Sequence, residues 1–296
     1  MKSLKGPILL LGATVIWGLA FVAQSVGMDY LGPFSFNSIR FMLGSLILIP
    51  FIDFKALKRS TTLHKKKLLI SSFTAGFVLA VASNLQQIGI QFTSVGKAGF
   101  ITSFYILFVP LLGLLMKKKP QRNVYIALVI AIIGFYLLCM NEKFNVTSGD
   151  ILILFCALFF ALHIMIIDYF SSSSDLIAFS CLQFLFCSLI GAIFMFIFEK
   201  PTFVNIFKAW LPLAYAGFFS CGIAFTLQLY GQRDVEPNTA SLILSLESVF
   251  STIFGFIILN QKLTSRELLG CLLVFISVLL VQVKSKSTNK NKRKLA

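Results

Sequence analysis

Long apolar runs alternate along this chain with short clusters that are polar or rich in Gly and Pro. Each run has the length that a hydrocarbon core about 30 Å thick demands of a helix, on the order of 20 residues. The clearest breaks are GMDYLGP, DFKALKRSTTLHKKK, KKKPQRN, NEKFNVTSGD, SSSSD, EKPTFVN and NQKLTSRE. They divide the sequence into ten predicted helices, at residues 7–27, 33–51, 68–90, 94–116, 123–140, 150–170, 175–198, 209–231, 237–259 and 266–283. The pattern therefore predicts an all-α polytopic membrane protein rather than a globular domain with an anchor.

Composition agrees. Of 296 residues, 57% are hydrophobic and 12% charged, against about 45–50% and about 25% in soluble domains. A formal charge of +15 would suggest nucleic acid in a soluble protein, but here the basic residues flank the spans and report orientation instead. With the N-terminus inside, inner segments hold 19 Lys and Arg, outer loops hold six, and Arg40 lies within a helix. Both termini are thus predicted to be cytoplasmic, in a multi-pass protein of the cell (plasma) membrane, with residues 284–296 as a disordered basic tail. Lys2 and Lys5 precede a run that lacks a small-residue cleavage signal, so it reads as a first transmembrane helix. The sequon at Asn145 is assigned to chance. Six cysteines, all in apolar segments and without CxxC spacing, read as small packing residues.

The chain also resembles itself. Shifted by 143 residues, FSFNSIRFMLGSLI aligns with IAFSCLQFLFCSLI; shifted by 142, NLQQIGIQFTSVGKAGFITSFYILFVPLLG aligns with TLQLYGQRDVEPNTASLILSLESVFSTIFG. Phe41 thereby meets Phe184, Gln86 meets Gln228, Gly89 meets Gly231 and Ser103 meets Ser245. A duplication of five spans places the second copy upside down in the membrane, because five is odd. The predicted architecture is two inverted five-helix repeats, residues 1–143 and 144–283, an arrangement suited to exposing one midplane site to either side in turn.

Several segments carry a family resemblance: the five-plus-five duplication, IWGLAFV with Trp17 and Gly18, FNSIRFMLGSLIL with Arg40, FVPLLGLLM with Pro110, and LSLESVFSTIFGFIILNQKLT with Glu247. Over residues 7–283 the chain resembles the EamA-like branch of the drug/metabolite transporter superfamily. It departs from that pattern in having Glu247-Ser248 where Glu-Pro is usual, and basic residues or Gln261 where a Glu usually follows helices 4 and 9. The resemblance implies a ten-helix secondary carrier that moves small metabolites such as amino acids, often outward, through a cavity between the halves.

Glu247 poses the sharpest chemical question. An ionised carboxylate at mid-membrane costs roughly 2.5–3.5 kcal/mol on insertion scales, so it must be protonated, paired or hydrated. It either donates a hydrogen bond across a packed helix pair or faces a cavity, where it binds a substrate ammonium or a coupling proton. Its repeat mate is Tyr105. Asn84 and Gln87 share one face of helix 3 and Gln228 repeats Gln86 in helix 8, so these amides face the interior, bonded to neighbours or lining the path. Ser245 belongs to a small polar stripe that reads as helix packing or as ligand contact. Trp17 and Gln24 lie a heptad apart, on a face that packs or stacks on substrate. His163 is read as neutral and hydrogen-bonded, with titration as the alternative. Arg40 is read as snorkelling or paired, with substrate contact as the alternative. Pro110, Gly113 and Gly255 are candidates for bending cavity walls.

No phosphate-binding GxxxxGK[ST] loop, HExxH or GxSxG occurs, which excludes the usual ATP-driven pump and the commonest hydrolases. The predicted partners are a small-molecule substrate, a coupling proton and the bilayer, with no nucleic acid, cofactor or metal. A lipid-modifying membrane enzyme and a channel remain as alternatives.

Overall fold

A computed structural model describes residues 4–117, 120, 122–139, 147–170, 175–261 and 264–282. Asn145 and Val146 of the sequon, two of the basic residues after the fourth run and the C-terminal tail lie outside these. The described residues form helices and turns with no strand. Eight helices are long and apolar enough to cross a membrane: α1 Lys5–Gly27, α2 Pro33–Phe51, α3 Thr62–Ile90, α4 Val95–Leu115, α6 Ser148–Phe170, α7 Leu176–Phe198, α8 Trp210–Gln232 and α9 Pro237–Leu259. Two others, α5 Arg122–Cys139 and α10 Ser265–Gln282, contain the shorter apolar helices Arg122–Leu137 and Leu268–Leu280. Large apolar side chains face outward as well as inward. Phe196 and Phe203 are exposed while Phe36, Phe41, Phe179 and Phe184 are sealed inside, as expected where the surrounding solvent is hydrocarbon. The five cysteines whose side chains are described are free and buried.

The largest boundary shift is at α3, which begins at Thr62 rather than 68 because Thr61 caps it by accepting the His64 N–H at 3.2 Å. Lys65, Lys66 and Lys67, which marked a loop in the sequence, lie on the first turns of this helix. Two short helices were also hidden in polar segments, Phe54–Arg59 and Phe203–Lys208, each capped by the preceding Asp53 or Thr202 side chain.

Packing pairs α5 with α10, α2 with α7 and α4 with α9, each helix against the one five places along. The other main contacts come as mates under the same shift: α1 with α8 and α6 with α3, α1 with α9 and α6 with α4, α2 with α8 and α7 with α3. Atomic contacts repeat the 142- to 143-residue register. Ser38 and Ser188 exchange side-chain to carbonyl hydrogen bonds at 3.1 and 2.8 Å, and their mates Cys181 and Ser45 do the same at 3.4 and 3.0 Å. The Gly6–Gly231 approach joins the N-terminus of α1 to the C-terminus of α8. Its mate, Gly149–Gly89, joins α6 to α3.

One cap is made across the bundle. The Glu199 carboxylate, at the end of α7, accepts the Phe34 and Ser35 N–H groups at 3.0 and 2.8 Å and the Ser35 hydroxyl at 2.6 Å. An anion at the start of α2 satisfies orphan donors and meets the positive end of the helix dipole. Glu199→Ala is therefore expected to cost about 2 kcal/mol, read as a lower melting temperature in detergent.

Candidate functional site

Helices α4 and α9 are each interrupted once, at matching places. Residues 103–104 divide α4 into Val95–Thr102 and Tyr105–Leu115; residues 245–246 divide α9 into Pro237–Leu244 and Glu247–Leu259. Backbone bonds tighten there to a three-residue spacing, Ile106 N–H to Ser103 O at 3.0 Å and Ser248 N–H to Ser245 O at 3.1 Å, a mid-helix change that often marks a functional hinge. The interruptions touch, since the Ser103 hydroxyl donates to the Ser245 carbonyl at 3.3 Å. The interruptions thus fall at Ser103 and Ser245 and not at Pro110, Gly113 or Gly255, the candidates for bending the cavity walls. All three lie within uninterrupted half-helices. Gly255 instead serves the end of α9, where Asn260 turns left-handed at φ 51° and the Gln261 N–H returns to the Gly255 carbonyl at 3.2 Å.

Tyr105 and Glu247 each open the second half-helix, so Glu247 stands where peptide dipoles favour a negative charge. Both are buried, at 3% and 5% exposure. Their side chains face each other and interact, although the Tyr105 hydroxyl has no hydrogen bond of ordinary geometry. They close one side of a central cavity of about 50 Å³, on a scale where one water needs about 10–15 Å³. The wall is built largely of repeat mates: Trp17 and Phe160, Phe21 and Ile164, Ser83 and Phe225, Gln86 and Gln228, Thr102 and Leu244, Tyr105 and Glu247. Positions 142–143 residues apart thus share the wall while their chemistry differs. The cation Arg40 comes from the first half and the carboxylate Glu247 from the second.

Of the residues singled out in the sequence, Glu247, Tyr105, Trp17, Gln24, Gln228 and His163 line this cavity. Three of them present buried polar atoms with no hydrogen-bond partner: Gln24 Oε1, Tyr105 Oη and Gln228 Oε1. Such atoms call for a partner, and in a cavity of this size water or a bound solute can supply it. Trp17 is a wall held in place, its Nε1 donating to the Ser220 carbonyl at 3.4 Å and its ring meeting Phe225 edge-on at 4.8 Å. Ser220 lies in a π-helical stretch, Tyr215–Ala224, a geometry that frees carbonyls and recurs at functional sites. Its mate region in α3 is ordinary helix.

His163, 1% exposed, pairs through Nε2 with Gln183 Oε1 at 3.1 Å and meets Phe225 edge-on. Gln86 is also on the wall, donating to Thr102 Oγ1 at 3.1 Å. Three other candidates lie behind the wall. Asn84 donates to Ala80 O at 2.8 Å and accepts from Asn37 Nδ2 at 2.9 Å; Gln87 donates to Gln24 O at 3.1 Å; Ser245 donates to Leu242 O at 2.8 Å. Asn37 was not singled out in the sequence, because nothing in its neighbourhood signals that it would reach across to α3. Among the described residues no group of three or more His, Cys, Asp or Glu could hold a metal.

A bundle of long apolar helices, with Arg40, Glu247 and several amides on the wall of an otherwise apolar internal cavity, defines a multi-pass membrane protein, and its relatives define it as a transporter. The EamA-like transporter family matches the chain twice, over residues 4–140 and 147–283. The chain belongs to that family. An uncharacterized transporter of Archaeoglobus fulgidus is 30% identical over 289 residues, spanning 96% of this chain and 88% of the relative. The uncharacterized transporter YoaV of Bacillus subtilis is 26% identical, spanning 90% and 92%. A solved structure titled only as the crystal structure of a protein superposes with a TM-score of 0.75 over 98% of this chain and 99% of its own, at 14% identity; that likeness concerns the fold alone.

Proposed function

We propose that the chain is a secondary carrier of ten membrane-spanning helices in two inverted five-helix repeats. It moves a small metabolite, of the amino-acid class or related to it, by alternating access to the central cavity. The observation that carries this reading is the cavity wall, in which six pairs of repeat mates from both halves meet around polar atoms that lack partners. A pseudo-two-fold axis through the site makes inward-open and outward-open packings nearly equivalent, and interrupted helices at the midplane supply polar backbone for a cargo. Support for the inversion comes from the mated glycine contacts. One sits at the N-terminal end of α1 and the C-terminal end of α8, the other at the C-terminal end of α3 and the N-terminal end of α6. The two matches to the family divide the chain at the same place.

The excess of Lys and Arg in the segments that would flank the inner face supports cytoplasmic termini, and export is proposed as the direction. The counter-reaction is a proton carried by Glu247 or the cargo's own gradient. Counterflow in proteoliposomes tests the reading: saturable, trans-stimulated exchange of one labelled metabolite is expected. Flux that rises linearly with concentration would instead indicate a channel, and conversion of the label into product an enzyme.

A further inference from the structure

Arg40 does not snorkel. It is 3% exposed and its guanidinium faces the central cavity. Its Nε donates to Asn37 Oδ1 at 2.8 Å, and this is its sole hydrogen bond among the described residues. The Asn37 amide is held in turn by Ser83 O and Asn84 Oδ1, both at 2.9 Å, so the guanidinium plane is fixed by a chain of committed groups. The Phe41 ring centroid lies 4.7 Å from its central carbon, which supports a cation without neutralising it. The described ion pairs are His64–Asp175 and Lys97–Asp150, and neither involves Arg40 or Glu247. A charged group sunk in the membrane interior without a counter-ion is costly and marks a substrate pathway.

We propose that Arg40 is the anion anchor of the cavity and that the cargo carries one carboxylate, bound by the two terminal nitrogens of the guanidinium fork. The planar fork matches a carboxylate bidentately. One cation balances one negative charge. A phosphate dianion would leave a charge unmatched in a cavity whose other ionisable pole is Glu247, so the mono-carboxylate is the better fit. Because Arg40 and Glu247 line the same wall without pairing, a cargo with an ammonium beside its carboxylate can span both poles. The repeat mate of Arg40 is Gln183, which binds His163, so the anion subsite belongs to the first half alone.

This inference rests on the carrier reading, and its test separates the two. Counterflow is measured with matched probes: L-alanine, L-valine and L-phenylalanine, the amide of each, and the amine each leaves on removal of its carboxyl group. Wild type is expected to exchange at least one acid and to lose about tenfold or more with its amide and its amine, since a site built for a polar group rejects analogues lacking it. Arg40→Gln should abolish the preference for the acid, and Arg40→Lys, a point charge without the fork, should restore it partly. The wild-type series needs no variant to fold. If amides or amines exchange as well as acids, or Arg40→Gln retains the acid preference, the anchor is wrong and the carrier stands. If no probe exchanges, this inference and the assignment of cargo class both fall.

Discussion

Glu247→Gln is expected to lower counterflow of the transported metabolite by about tenfold to a hundredfold, equivalent to ~1.4–2.8 kcal/mol of lost interaction. The substitution keeps the shape of the side chain and its reach to Tyr105, but removes the only carboxylate among the described residues of the cavity wall. Packing should survive it, so the melting temperature in detergent is expected to stay close to wild type. A carboxylate at the amino end of a half-helix, facing an unpartnered tyrosine hydroxyl, is placed to hold a proton or an ammonium in one conformation and release it in another. If exchange and its response to an imposed pH gradient are both unchanged, Glu247 is a packing residue and the cavity has lost its negative pole.

The second large effect is structural. A Cβ at Gly89 would lie 2.8 Å from the Gly149 carbonyl oxygen, and one at Gly231 would lie 3.0 Å from that of Gly6 and 2.8 Å from two atoms of the Leu10 side chain. At each site one of these neighbours is a backbone carbonyl that cannot turn aside, and the other is a fully buried side chain, Ile153 against the Gly89 Cβ or Leu10 beside Gly231. Helices in a bilayer gain their association from close approach at small residues, so Gly89→Leu and Gly231→Leu should each cost about 3 kcal/mol or more, at the upper end of overpacking penalties. Gly12 is the control: its Cβ would meet only Leu227 Cδ1, at 3.5 Å. Gly12→Ala should leave stability unchanged or raise it by up to ~1 kcal/mol, the helix-propensity gain over Gly. Thermal melting of the three purified variants distinguishes them. Equal melting temperatures would mean that the mated helix pairs are not held at glycine distance.

Much of this organisation is legible in the chain because a bilayer allows few solutions: an apolar run of the right length becomes a helix. The register of the duplication is legible for a different reason. Phe41 and Phe184, or Gln86 and Gln228, are matched residues that the structure then brings to the same core or the same wall, the two rings 5.9 Å apart. What the sequence hides is contact between distant positions. Glu199 caps α2 from α7, and Asn37, which holds Arg40, is itself held by Asn84 of α3. Neither has a local signal, since Asn and Glu look alike in capping, packing and binding.

The candidate site was partly visible. An intramembrane carboxylate is expensive enough to stand out, whereas Arg40, nearer a helix end, reads from position alone as snorkelling or paired, and only the fold shows it buried. Pro110 drew attention by its chemistry, yet the interruptions fall at Ser103 and Ser245, residues without any breaker signature. They fall where α4 and α9 touch, Ser103 against Ser245, a contact that neither helix announces by itself.

The central claim is that one cavity is reached from both sides of the membrane in turn. It is tested most directly by placing a single cysteine at Ser220, on the cavity wall, in a chain whose six native cysteines are replaced. The protein, reconstituted in vesicles, is then treated with a membrane-impermeant thiol reagent applied separately from each side. Labelling from both sides, slowed from both by a saturating transported metabolite, is the predicted result. Labelling from one side only, at a rate the metabolite does not change, would contradict the account.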